Sequence, residues 1–179
     1  MKPDSQLKKY PLILFETAQE GECTKDVLTS LKFITSFWKQ DAQFRSLVLS
    51  KRITREEKTK ILSGVLNDVC HPLATEFINI LIEKNIMNHV LYMKDIYETE
   101  YKKIYRIVSV DAKVSHVMDD LEVKRLQKGI ESNLYMSSDL QVGVDPTLLG
   151  GIKMRIGNTY FDATILGKMQ RLRKNLLQS

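Results

Sequence analysis

Residues 142–164 read Val142-Gly143-Val144-Asp145-Pro146-Thr147-Leu148-Leu149-Gly150-Gly151-Ile152-Lys153-Met154-Arg155-Ile156-Gly157-Asn158-Thr159-Tyr160-Phe161-Asp162-Ala163-Thr164. Val142 and Val144 alternate with a small or polar residue and stop at Asp145-Pro146, where proline removes a donor and forbids a continued strand. Gly150-Gly151 permits a tight reversal or a close backbone approach. Ile152, Met154 and Ile156 alternate with Lys153 and Arg155, the period of a strand with one wet face. Gly157-Asn158 is a hairpin turn pair, and Thr159 to Phe161 form the return strand. Asp162 or Thr164 can cap the helix that follows. There Ile165, Met169, Leu172 and Leu176 fall on one apolar stripe. Lys168, Arg171, Arg173 and Lys174 lie mostly off it, and no acidic residue follows Asp162.

Just upstream the same period holds. Val108, Val110, Ala112 and Val114 alternate with Ser109, Asp111 and Lys113, a strand. Asp119-Asp120 opens a helix whose Val123, Leu126, Ile130 and Leu134 face one way, and acidic residues suit its start through the helix dipole. Tyr135 to Ser138 reads as a loop before Leu140 resumes alternation. Residues 106–179 therefore read as strand–helix–strand–hairpin–helix, a small α+β domain.

Before residue 106 the period is helical. Leu7, Tyr10, Leu14 and Ala18 mark a first amphipathic helix. Pro11 leaves two alternatives. With Asp4 or Ser5 as cap it is interior, kinking the helix or costing about 3 kcal/mol; otherwise the helix starts near Pro11. Gly21-Glu22-Cys23 breaks the pattern, and Thr24 can cap a helix carrying Val27, Leu31, Ile34 and Trp38. A short helix holds Phe44, Leu47 and Val48. Thr54-Arg55-Glu56-Glu57 has capping-box spacing before Ile61, Leu62, Val65, Leu66 and Val69. Pro72 suits the first turn of a fifth helix so apolar that other elements must wrap it. Asn88 can cap a sixth, with Val90, Met93, Tyr97, Tyr101 and Ile104 inward. The fold class expected is mainly α: an N-terminal six-helix bundle over residues 1–105, then the α+β domain over 106–179.

The run Val144 to Gly151, then Arg155-Ile156-Gly157-Asn158, then Asp162-Ala163-Thr164 and Leu172-Arg173, resembles the C-terminal signature of the delta subunit of F-type ATP synthases, the family of the mitochondrial oligomycin-sensitivity-conferring protein. Asp145, Pro146, Gly150, Gly151, Gly157 and Asp162 carry the motif. In the family the closing motif usually has Gly-Ser where this chain has Ala163-Thr164, and Thr keeps the capping hydroxyl. At the start the family usually has Tyr-Ala-x-Ala-Leu where this chain has Tyr10-Pro11-Leu12-Ile13-Leu14.

Composition bounds the alternatives. The chain has 179 residues, is 43% hydrophobic and 27% charged, and carries a net charge of +5. It can bury a core and is not disordered, and no apolar run reaches the length of a membrane span. The start lacks an apolar signal region and an Arg-rich transit segment, so export is not expected. Cys23 and Cys70 lack metal or redox spacing, which fits a reducing compartment. His71, His89 and His116 stand at no ligand spacing. Gly150-Gly151 lacks the Walker and dinucleotide patterns, so no nucleotide or other cofactor is expected on this chain. No carboxylate pair is singled out for acid–base work; Asp145, Asp162 and Asp119-Asp120 read as turn and cap residues. Catalytic residues are none and metal ligands none. The basic last helix reads first as a solvated face. A nucleic-acid footprint would bring aromatics or a recognition fold. The rival function, a basic helical adaptor or nucleic-acid-binding protein, is separated by salt titration against duplex DNA.

The resemblance implies a stator role: a non-catalytic peripheral-stalk subunit linking the catalytic head to the membrane-anchored b subunits, so that rotor torque drives ATP synthesis. It implies that Tyr10, Leu14 and Ala18 with Phe77, Ile78 and Leu81 line a groove for an α-subunit helix. It also implies that Lys168, Met169, Arg171, Leu172 and Lys174 meet the b subunit. Nucleic acid is not an expected partner. The place implied is the cytoplasmic face of a bacterial inner membrane, reached only through the complex, with an organellar inner membrane as the alternative.

Overall fold

A computed structural model describes residues 6–50 and 52–177. Among the described residues, eight α-helices and a small four-stranded sheet make the fold mainly helical. The residues gather into two compact units that divide between Tyr101 and Lys102.

The first unit holds α1 (Lys9–Glu20), α2 (Thr24–Gln40), α3 (Ala42–Leu49), α4 (Arg55–Leu66), α5 (Pro72–Glu83) and, after a 3-10 turn at Met87–His89, most of α6 (Val90–Ile104). One apolar core runs through it, from Leu14 and Ala18 through Leu31, Ile34 and Trp38 to Ile78, Leu81, Met93 and Tyr97. Tyr97 is fully buried; its hydroxyl donates to the Thr24 carbonyl at 3.1 Å, and its ring meets Phe15 edge-on at 5.2 Å. A buried phenol needs such a partner, and this one pins α6 to the start of α2.

Pro11 falls in the first turn of α1. Helix α1 begins at Lys9, so Pro11 is its third residue. The first four helical amides have no intrahelical acceptor, and the missing N–H is not missed. Asp4 and Ser5, the alternative caps, lie outside the described residues.

Two capping expectations and one loop expectation change. Thr24 is the first residue of α2 and is buried; Cys23 occupies the cap without a side-chain capping bond, its thiol donating back to the Ala18 carbonyl, after Glu22 turns the chain at a φ of 52°. Asn88 lies inside the 3-10 turn, and α6 starts at Val90. The loop expected over Tyr135–Ser138 is shorter, because strand pairing already begins at Ser137. The Thr54 box forms: its hydroxyl accepts from the Glu57 amide and its own amide donates to Glu57 at 3.0 Å. On α4, Leu62 and Leu66 are buried, whereas Ile61 and Val65, and Val69 beyond the helix, face outward. Ile104, expected inward, is exposed, in the last turn of α6.

The second unit contains β1 (Ile107–Val114), α7 (Asp120–Leu134), β2 (Ser137–Val144), β3 (Ile152–Ile156), β4 (Thr159–Asp162) and α8 (Ile165–Leu177). The sheet order is β2-β1-β3-β4, with β1 parallel to β2 and antiparallel to β3. Register puts Val110 beside Leu140 and Ile156, and Ala112 beside Val142 and Met154, so one face is apolar. The other carries Asp111, Lys113, Lys153 and Arg155. Lys102 belongs with this unit: its ammonium meets Ser109 at 3.0 Å and Asp139 at 2.7 Å.

Helix α8 is rooted by the motif read first. Thr164 is buried; its hydroxyl donates to Asp162 at 2.6 Å and accepts from the Gly167 amide at 3.0 Å. Asp162 thus holds the capping residue, and the hydroxyl and amide of Thr164 hold its carboxyl below the usual carboxylate range. Asp145 is arranged alike with Thr147, with the same effect. Gly151, at a φ of +85°, lies where a Cβ would stand 2.5 Å from the Ala163 carbonyl oxygen. Gly151→Ala is therefore expected to cost about 2–3 kcal/mol, through strain and a forced shift of the α8 root. Hydrogen exchange of the full chain checks this: the first-turn amides of α8 lose protection while those of α5 keep theirs.

Candidate functional site

Helix α5 carries more apolar residues than its core face can use. Ala74, Phe77, Ile78, Leu81 and Ile82 are buried, while Leu73 and Ile80 remain half-exposed beside them. Helix α1 does the same: Leu14, Phe15 and Ala18 go inward, and Ile13 stays 59% exposed. Where these surplus residues face each other, a groove of about 220 Å³ opens between α1 and α5. Tyr10, Ile13, Leu14 and Thr17 form one wall, and Leu73, Glu76, Phe77 and Ile80 the other. The lining is apolar except for Thr17, Glu76 and the Tyr10 hydroxyl. Such a trough suits the apolar face of an amphipathic helix.

Of the six residues expected to line it, Tyr10, Leu14 and Phe77 do. Ala18, Ile78 and Leu81 are at 0% exposure, part of the core beneath. They offer no surface, because each lies on the face of its helix turned to the core. Ile13, Thr17, Leu73, Glu76 and Ile80 were not anticipated. The signal for them was the breadth of the apolar arc on α5, which exceeds what one core face needs.

The second surface is α8. Apart from Gly167, its residues are exposed, with Met169 at 60%, Leu172 at 62% and Leu176 at 78%. Lys168, Met169, Arg171, Leu172 and Lys174 all stand on this helix, and Arg171 also donates to the Asp162 carbonyl at 3.1 Å. Leu166 and Leu177 widen the apolar stripe beyond the residues expected. Gly167 admits the Asp162 carboxylate, which a Cβ there would meet at 2.8 Å. A stripe of this size left bare on a helix with no acidic residue fits an acidic amphipathic partner.

Chemistry elsewhere is sparse. Among the described residues no three His, Cys, Asp or Glu side chains gather to hold a metal ion. Burial pushes the Cys70 thiol up, away from nucleophilic use. His71 instead caps α5, accepting from the Leu73 amide at 3.3 Å. No helix among the described residues is long and apolar enough to cross a membrane.

Two compact units, each with an uncovered apolar surface, define a docking protein, one that acts by holding other chains. The ATP synthase delta (OSCP) subunit family matches residues 7–176, and the chain belongs to it. Members are non-catalytic subunits of the ATP synthase peripheral stalk. The chain is 31% identical over 175 residues to the ATP synthase subunit delta of Alkaliphilus oremlandii, covering 94% of each. It is 28% identical to that of Alkaliphilus metalliredigens, covering 96% of this chain and 95% of the relative. In structure it is similar to a chain of the Toxoplasma gondii mitochondrial ATP synthase hexamer, with a TM-score of 0.69, 16% identity and coverage of 97% and 98%.

Proposed function

We propose that this chain ties the catalytic head of a proton-driven ATP synthase to the b-type subunits of its peripheral stalk. The helical domain, residues 1–105, acts as one six-helix bundle and takes the N-terminal helix of an α subunit into the α1–α5 groove. The C-terminal domain, residues 106–179, presents α8 to the b subunits. The complex then sits on the cytoplasmic face of a bacterial inner membrane, with this chain held there only by its partners. No nucleotide and no nucleic acid is bound by this chain in this reading.

The observation that carries the reading is the pairing of one uncovered apolar surface with each unit. A tether under torque needs a grip at each end and no reactive group. The rotor pushes on the head, and the head stores work only while something prevents it from turning.

Reconstitution tests this. Head, membrane sector and stalk are assembled in vesicles with and without the chain. With it, a proton gradient drives ATP synthesis; without it, synthesis falls to background while ATP hydrolysis by the free head persists. Full coupling in its absence would overturn the proposal.

A further inference from the structure

We propose that the cleft between α4 and α5 reads a basic side chain, an arginine, carried by the same partner helix that fills the neighbouring α1–α5 groove. The inference rests on the function proposed above and adds to it what the partner must carry. The α4–α5 cleft is open and large, about 570 Å³. Glu76 and Ile80 line both it and the groove, so a ridge one side chain wide separates the two.

The walls are charged in a particular way. Glu76, Ile80 and Glu83 fall at i, i+4 and i+7, one row along α5, spanning about 10 Å at 1.5 Å per residue. Glu56 stands on the α4 side. Among the described residues none of these three carboxylates makes an ion pair. Asn79 donates to the Ser63 hydroxyl at 3.3 Å, across to α4, and its own carbonyl oxygen is buried without a donor. Arg55 and Lys60 occupy the α4 wall and would repel a cation entering from that side. A cation coming over the ridge from the groove meets Glu76 first. An arginine fork supplies the charge and enough N–H groups to meet two of these carboxylates at once.

The probe is a synthetic peptide with the N-terminal sequence of this synthase's α subunit, titrated calorimetrically into the full chain. Glu76→Gln with Glu83→Gln is expected to raise Kd about tenfold and to flatten its dependence on salt. Both side chains are exposed, and circular dichroism verifies the fold; Glu76→Gln alone serves if the pair does not fold. Peptides with one arginine at a time changed to glutamine complete a double-mutant cycle. One of them binds the unmodified chain about tenfold more weakly and loses little more against the double variant. Unchanged affinity and salt slope, or strictly additive losses, overturn the inference while leaving the groove reading intact. If the unmodified chain bound no peptide, the groove reading and this inference would fall together.

Discussion

Aspartate at both Ile13 and Ile80 weakens binding of the α-subunit N-terminal peptide at least about a hundredfold and leaves the helical unit folded. The two positions are chosen from the geometry. Ile13 is 59% exposed and Ile80 half-exposed, so neither change opens a cavity in the core. Both side chains line the groove from opposite walls. An apolar helix face seated there would have to strip water from two carboxylates without offering them partners. That costs several kcal/mol, and each 1.4 kcal/mol is about tenfold in Kd. Calorimetry gives the affinity and thermal unfolding the control. The same change at Ala18, Ile78 or Leu81 buries a charge in the core and unfolds the unit, which reports nothing about docking. Peptide binding unchanged in the Ile13/Ile80 variant would remove the groove from the function proposed.

The second large effect concerns α8. Met169→Asp with Leu172→Asp is expected to abolish capture of the b-type subunit, a loss of about a hundredfold or more. Met169 and Leu172 are 60% and 62% exposed, so their loss leaves the sheet untouched. Changing Lys168 and Lys174 to glutamine instead should slow association and weaken its salt dependence, with a smaller effect on Kd. The contrast separates the two roles: apolar contact sets how long the complex lasts, and charge sets how fast it forms. Surface plasmon resonance on the full chain reads both. A Met169/Leu172 variant that holds the b subunit as long as the unmodified chain would leave α8 without the role proposed.

Local chemistry was the most legible part of this sequence. Strands β1 to β4 and the Gly157-Asn158 turn follow from alternation and turn residues, because those signals act within a few positions. The capping box at Thr54 was equally plain, whereas Asp119 was read only as an acidic helix start and in the structure forms a box with Glu122. What the sequence hid is which side of a broad apolar helix meets the core. On α5 nearly every position is apolar, so periodicity could not separate Ile78 and Leu81, in the core, from Leu73 and Ile80, in the groove. On α4 the same ambiguity placed Val65 with Leu66, though only Leu66 is buried. Pro11 was ambiguous because its cost depends on where the helix starts, and no capping side chain marks that start. The glycines of the α8 root were visible as residues, but the crowding that requires them at 151 and 167 exists only once the chain has folded back.

The bare stripe of α8 has a consequence for the life of the protein. Until a stalk partner arrives, Leu172, Leu176 and Leu177 present a greasy edge of the kind that chaperones hold and degradation machinery recognises. An orphan copy is thereby marked, and an assembled one is concealed. With α8 as the stalk contact proposed, copies made in excess of their partners are expected to turn over faster than assembled ones, which a pulse-chase with and without the b subunit reads.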